Sequence, residues 1–243
     1  MPFTFLIFLV IAVFGAAHAQ AAPPYVIAMQ QEAASTTELA MRVVQEAFRR
    51  ADLPLEFKRV PISRALEMAN AGEVDGDLYR IKDVAASRPN LIVVPTPLLD
   101  IQIALYSKLA GFRQMNRAQV EKLSFGRTRG ANSLVKHGQG LRMTEAQTLD
   151  AAFQMLESHR FDVWMATYLS GEEELKKRQP MALERWPYEW ASEPVFLILH
   201  KKNAELVPRL DAALQQMQKE GVIDAHYQAA LQSVGLAPLP KAR

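Results

Sequence analysis

The chain has 243 residues, 28 basic and 26 acidic, and no cysteine. A net charge of +2, spread along the sequence, provides no basic patch for nucleic acid or for an anionic membrane. Without cysteine there is neither a disulfide framework nor a lipid on an N-terminal Cys, so the fold must be held by apolar burial.

The first 19 residues carry no Asp, Glu, Lys or Arg, and Phe3 to Ala16 is a nearly unbroken apolar run. Ala17-His18-Ala19 is a small-x-small cleavage site, with Ala19-Gln20-Ala21 as a second one. The pattern predicts a secretory signal peptide over 1–19, cleaved near Ala19, and a periplasmic mature chain. The run is short for a membrane span, which needs about 20 residues. The leader has no basic residue, which leaves an uncleaved anchor as the alternative.

Tyr25–Met29 reads as a short strand, and Ser35-Thr36-Thr37-Glu38 as a capping box opening a helix. Leu39, Val43 and Ala47, with Ala40, Val44 and Phe48, give that helix one apolar stripe. Leu55–Val60 is the second strand; Pro61 starts a helix that Gly72 ends; Val74–Leu78 is the third strand. Leu91–Val94 and Ile101–Ser107 are the fourth and fifth. Strand–helix–strand–helix–strand predicts a parallel, doubly wound sheet. The pattern restarts with a strand at Leu123–Gly126 and a short helix after Ser133. A helix capped by Thr148 follows, then a strand at Phe161–Ala166 and a helix capped at Ser170. Val195–His200 is the last strong strand, followed by two helices, and the tail from Ala237 reads as frayed.

Two segments echo each other. Arg64 to Arg80 and Leu149 to Met165 each run amphipathic helix, polar turn, apolar residue, then Asp (Asp75, Asp162) opening a strand. The echo predicts two similar α/β lobes with a cleft between them. A strand leaving the first unit and one returning near the end place lobe 1 at 23–106 with 194–243 and lobe 2, inserted, at 107–193. Pro97–Ser107 and Ser192–His200 are the hinge candidates.

Ala71-Gly72-Glu73-Val74-Asp75 before a strand, Arg88 followed by Leu91–Leu98, Gly126 with Gly130–Ser133, and Pro194–Asn203 with its following helix occur in a telling order. In them the chain resembles bacterial extracellular solute-binding proteins of family 3, associated with polar amino acid uptake, over essentially its whole mature length. The resemblance implies two Rossmann-like lobes joined by a two-segment hinge, a periplasmic binding protein-like fold of type II. It implies a non-catalytic protein without cofactor or metal. Such a protein captures a small polar, anionic or amino-acid-like ligand and delivers it, as a monomer, to the membrane permease of an ABC transporter. Arg88 lies near the carboxylate-binding Arg of that family. Thr167 falls where amino-acid binders place a carboxylate for the ligand's ammonium, and it carries no charge.

Read from the residues, Arg80 sits at the end of the third strand, where ligands of open α/β sheets bind and where a guanidinium can grip a carboxylate. Arg64 opens the helix after the second strand. Gly130, Asn132 and Ser133 lie between a strand and a helix, where free N–H groups attract anions. Gln30, with Gln31 and Glu32, follows the first strand. Tyr79, Trp186, Tyr188 and Trp190 are candidates for stacking on a ligand, lining the hinge or filling the core. The alternatives are a cleft enzyme of dehydratase type, with Asp77, Glu32 or His137 as acid–base group, and a sensory ligand-binding module.

Overall fold

The computed structural model of the protein describes residues 23–31, 34–178 and 182–241. The leader and its cleavage sites, and Glu32, lie outside these residues. From Tyr25 the chain alternates β1 (Tyr25–Gln30), α1 (Ser35–Arg50), β2 (Leu55–Val60), α2 (Ile62–Ala71) and β3 (Gly76–Arg80). These strands lie side by side as β2-β1-β3, all parallel. After α3 (Lys82–Ala86) and β4 (Leu91–Val93), the long β5 (Leu99–Ser107) leaves this group.

The pattern then repeats. Past α4 (Arg117–Val120) come β6 (Ser124–Thr128), α5 (Asn132–His137), β7 (Arg142–Ala146), α6 (Leu149–Glu157) and β8 (Val163–Thr167). Their order is β7-β6-β8, again parallel. α7 (Tyr168–Lys177) and the two-residue β9 (Glu184–Arg185) lead to β10 (Ala191–His200), which returns to the first lobe ahead of α8 (Val207–Lys219) and α9 (Val222–Ser233).

The whole sheet runs β2-β1-β3-β10-β5-β8-β6-β7. It is mixed rather than parallel throughout, because the two connecting strands run against their neighbours. β10 pairs antiparallel with β3 and β4 at one end and with β5 at the other. β5 pairs antiparallel with β8 and β9. The protein is therefore two Rossmann-like lobes joined by two crossing strands, the two-segment hinge of the type II fold.

α1 buries the stripe of Leu39, Ala40, Val43, Val44, Ala47 and Phe48. β5 and β8 are buried on both faces, as central strands are. Ile103, Leu105, Val163 and Met165 meet Phe125, Trp186 and Trp190 on one side. Ala104, Tyr106, Trp164 and Ala166 face the core that continues into the first lobe. The two indoles of Trp186 and Trp190 are core residues, donating to the Met115 carbonyl at 2.8 Å and the His137 carbonyl at 3.1 Å.

Three local expectations fail for physical reasons. The capping box does not form: Ala34 is the N-cap, and the Ser35 hydroxyl and N–H go to Glu173 of α7 instead. Ser170 is inside α7, whose N-cap is Thr167, and its hydroxyl lies 2.9 Å from that of Thr36. The tail is docked as far as Lys241. Gln102 of β5 donates to the Leu239 carbonyl and accepts from the Leu239 N–H, each at 2.9 Å. Leu239 is buried, which contributes about 1.5–3 kcal/mol.

Candidate functional site: the cleft between the lobes

The carboxyl ends of β1, β3, β6 and β8 converge on one cavity of about 650 Å³. α2 and α6 begin at its wall, so their free N–H groups and positive dipole ends add to its field. Of the residues singled out from sequence, Gln30, Gln31, Tyr79 and Arg80 line it from one lobe and Asn132, Ser133 and Thr167 from the other.

Arg80 ends β3 rather than following it, because the strand is shifted toward Gly76–Arg80. It is 6% exposed and Asp77 2%. Its Nε and Nη2 donate to Asp77 Oδ2 at 2.8 and 2.6 Å, and Nη2 also donates to the Ile62 carbonyl at 2.8 Å. Nη1 has no partner among the described residues, and Arg80 lines the cavity. Burial pushes the Asp77 carboxyl up, and the Arg80 guanidinium opposes that shift. Asp77 thus fixes the plane of the guanidinium and offsets part of its charge.

The other candidates sit differently. Tyr79 places its hydroxyl 3.3 Å from that of Thr37, and burial pushes its phenol up. Arg64 is exposed and pairs with Glu73 at 2.9 Å; Arg88 pairs with Glu67 at 2.9 Å. Neither lines the cavity. Gly130 has φ +82°, and a Cβ there would lie 2.7 Å from Ile62 Cγ2. It is a point of lobe-to-lobe approach rather than cavity wall.

The two lobes touch on both sides of the cleft in this structure. Ser35 N–H donates to Glu173 at 3.0 Å, and Thr36 Oγ1 lies 3.2 Å from Thr167 Oγ1. On the other side Lys136 Nζ is 3.2 Å from Asp83. Burial would raise the Glu173 carboxyl, but the Ser35 and Lys177 hydrogen bonds hold it below the usual range.

Sequence reasoning missed Ser63, Gln147, Thr148, Trp164 and Ser170 as wall residues. The internal repeat contains the signal: α6 occupies in the second lobe the place of α2 in the first, so both helix starts belong at the cleft. Arg80 and Arg129 are the charged side chains among the described lining residues, and none of those residues is a carboxylate. Arg129 Nε donates to Glu145 at 3.1 Å. Of the acid–base candidates, Asp77 is locked to Arg80, and His137 lies 2.7 Å from Glu193 outside the cavity wall. Among the described residues no group of three or more His, Asp or Glu gathers as a metal site.

No family model matches the chain, and no curated protein matches it. Solved structures do. The GluR0 ligand-binding core in complex with L-glutamate is 15% identical, with a TM-score of 0.74, over 87% of this chain and 100% of that one. The arginine-, lysine-, histidine-binding protein ArtJ of Geobacillus stearothermophilus is 16% identical, with a TM-score of 0.67, over 90% and 97%. A histidine kinase sensor domain similar to periplasmic binding proteins is 14% identical, with a TM-score of 0.69, over 88% and 98%. The fold of this chain is the periplasmic binding protein-like fold of type II, as the sequence resemblance implied.

Proposed function

We propose that the protein is a periplasmic solute-binding protein of the family 3 type, exported by a signal peptide over 1–19. It captures a small anionic ligand between lobe 1 (23–106 with 194–243) and lobe 2 (107–193), and hands it as a monomer to the permease of an ABC transporter. The observation that carries this reading is Arg80, buried at the end of β3, anchored on Asp77 and lining a cavity to which both lobes contribute. Ligand contacts made only when the lobes shut would drive closure. No acid–base group stands free in the described wall, which favours binding over catalysis.

Arg80→Ala alone would strand Asp77, and breaking a buried ion pair costs about 3–5 kcal/mol of stability. The test is therefore the pair Arg80→Gln with Asp77→Asn, which leaves no orphaned charge. Losing a charge-assisted grip on the ligand costs roughly 2–5 kcal/mol, or about 30-fold or more in affinity by calorimetry. The ligand comes from a thermal-shift screen of amino acids, carboxylates, polyamines and sugars. Affinity within about threefold of wild type in the double variant would remove Arg80 from the site.

The sensor-domain neighbour favours a second use of the same cleft, in which a closed lobe pair is read by a membrane sensor instead of a permease. Crosslinking in intact cells separates the two by which membrane protein is captured.

A further inference from the structure

Resting on the reading of the cleft as an anion-binding site, we infer that its ligand is a monocarboxylate with a bulky apolar body and no α-ammonium group. Both charged side chains in the described wall are cationic. A buried ammonium needs an acceptor of opposite charge, or it loses its hydration without recompense. At the position facing Thr36 across the cleft, the wall offers a hydroxyl, Thr167, already 3.2 Å from the Thr36 hydroxyl. Asp77, a buried carboxylate beside Arg80, is consumed by Arg80 through two hydrogen bonds.

The same pairing argues for a single negative charge. Asp77 offsets part of the Arg80 charge, and Arg129 is half-exposed and bonded to Glu145. The one Arg80 nitrogen without a partner among the described residues, Nη1, helped by the starts of α2 and α6, matches one carboxylate better than a phosphate or a dicarboxylate. Part of the wall is apolar, with Ile62, Ile101, Leu134, Trp164, Met165 and Val195 contributing to it, while neutral amides and hydroxyls such as Gln30, Asn132, Gln147 and Thr148 line the rest. Trp164 is braced by Phe153 and Tyr106, with ring centroids 4.6 and 5.1 Å away, so its ring is held firmly in place. A cavity of about 650 Å³ has room for an aromatic or branched chain beyond the carboxylate.

The experiment compares partners that differ only in the ammonium group: 3-phenylpropionate with L-phenylalanine, and 4-methylpentanoate with L-leucine. Succinate and inorganic phosphate test the charge argument. Calorimetry on the mature protein is expected to show the deaminated acids binding at least about 30-fold more tightly than the amino acids and the dianions. The Arg80→Gln/Asp77→Asn variant should lose the acids. An amino acid that binds as tightly as its deaminated partner overturns the inference, and loss of that binding in Glu32→Gln would identify the compensating carboxylate. Binding of that amino acid that still depends on Arg80 leaves the anion-binding reading standing. If none of the six probes binds, the inference also fails. The anion-binding reading then falls with it unless the wider screen yields an Arg80-dependent ligand.

Discussion

Asp75 Oδ2 accepts from the Val26 N–H at 2.8 Å while the Asp75 N–H donates to the Val26 carbonyl at 2.8 Å. Asp162 treats Ser124 the same way, accepting its N–H at 2.9 Å and donating to its carbonyl at 2.9 Å. Each carboxylate pins the start of the neighbouring parallel strand, β1 or β6, against its own. Burial would raise the Asp75 carboxyl, but the Val26 N–H, Asn203 and Lys202 outweigh it and hold it below the usual range. With the folded value depressed, the stabilisation is complete above the unfolded pKa of about 4 and is lost as pH falls through the folded value. Asp75→Asn is expected to cost about 1–3 kcal/mol in urea unfolding at neutral pH. The gap from wild type should narrow below about pH 4. A gap that stays constant into that range would mean the charge of Asp75 contributes nothing. The repeat of these two aspartates is legible in the sequence, and so is the strand end that holds Arg80. That both carboxylates are spent on backbone N–H groups, and that Asp77 shares the burial of Arg80, depends on packing that no spacing encodes.

At the scale of elements, the long amphipathic helices and apolar strands are readable because burial imposes a period on their residues. β7 escaped because Arg142-Met143-Thr144-Glu145-Ala146 pairs on one side only, with β6, and an edge strand has no need of an apolar run. The capping box misled because the partner of Ser35 is Glu173, far along the chain, and a long-range contact overrode a local motif. The turn between β6 and α5 shows how element geometry governs closure. Gly130 takes φ +82° where the loop meets the start of α2. An Ala there would incur about 1–2 kcal/mol of backbone strain in either state and a collision with Ile62 only when the lobes are shut. Gly130→Ala is therefore expected to weaken ligand affinity about tenfold beyond its effect on stability. Adding Ile62→Ala should restore part of the affinity but none of the backbone strain. Unchanged affinity in Gly130→Ala would mean that the ligand-bound protein does not close to this geometry.

Over the whole molecule, the sheet order reads the same from both ends once the repeat is applied: β2, β1, β3 and β10 correspond to β7, β6, β8 and β5. Each lobe takes in one long strand from the crossover beside its last parallel strand, so the hinge belongs equally to both. The C-terminal tail breaks this symmetry. Leaving α9, which packs on α1 and α8 of the first lobe, it runs along β5 and reaches the second lobe. There Tyr168 donates to the Ala237 carbonyl at 3.1 Å and Glu189 N–H to the Pro240 carbonyl at 2.9 Å. Gln102 Nε2 ties Glu189 (2.8 Å) and the Leu239 carbonyl (2.9 Å) together at the hinge. A short, proline-containing sequence without helical or strand period gives no hint of this, because one buried leucine and backbone hydrogen bonds hold it down. The tail is a third link between lobes and should favour the shut arrangement. Truncation after Gly235 is expected to lower stability by about 2 kcal/mol, chiefly through loss of buried Leu239. It should also expand the unliganded protein in small-angle scattering and weaken ligand binding several-fold. Leu239→Ala, which keeps the backbone bonds, should reproduce most of the stability loss and little of the expansion. If truncation lowers stability but leaves both scattering and affinity as in wild type, the tail only covers apolar surface, and the two crossing strands alone set the opening of the lobes.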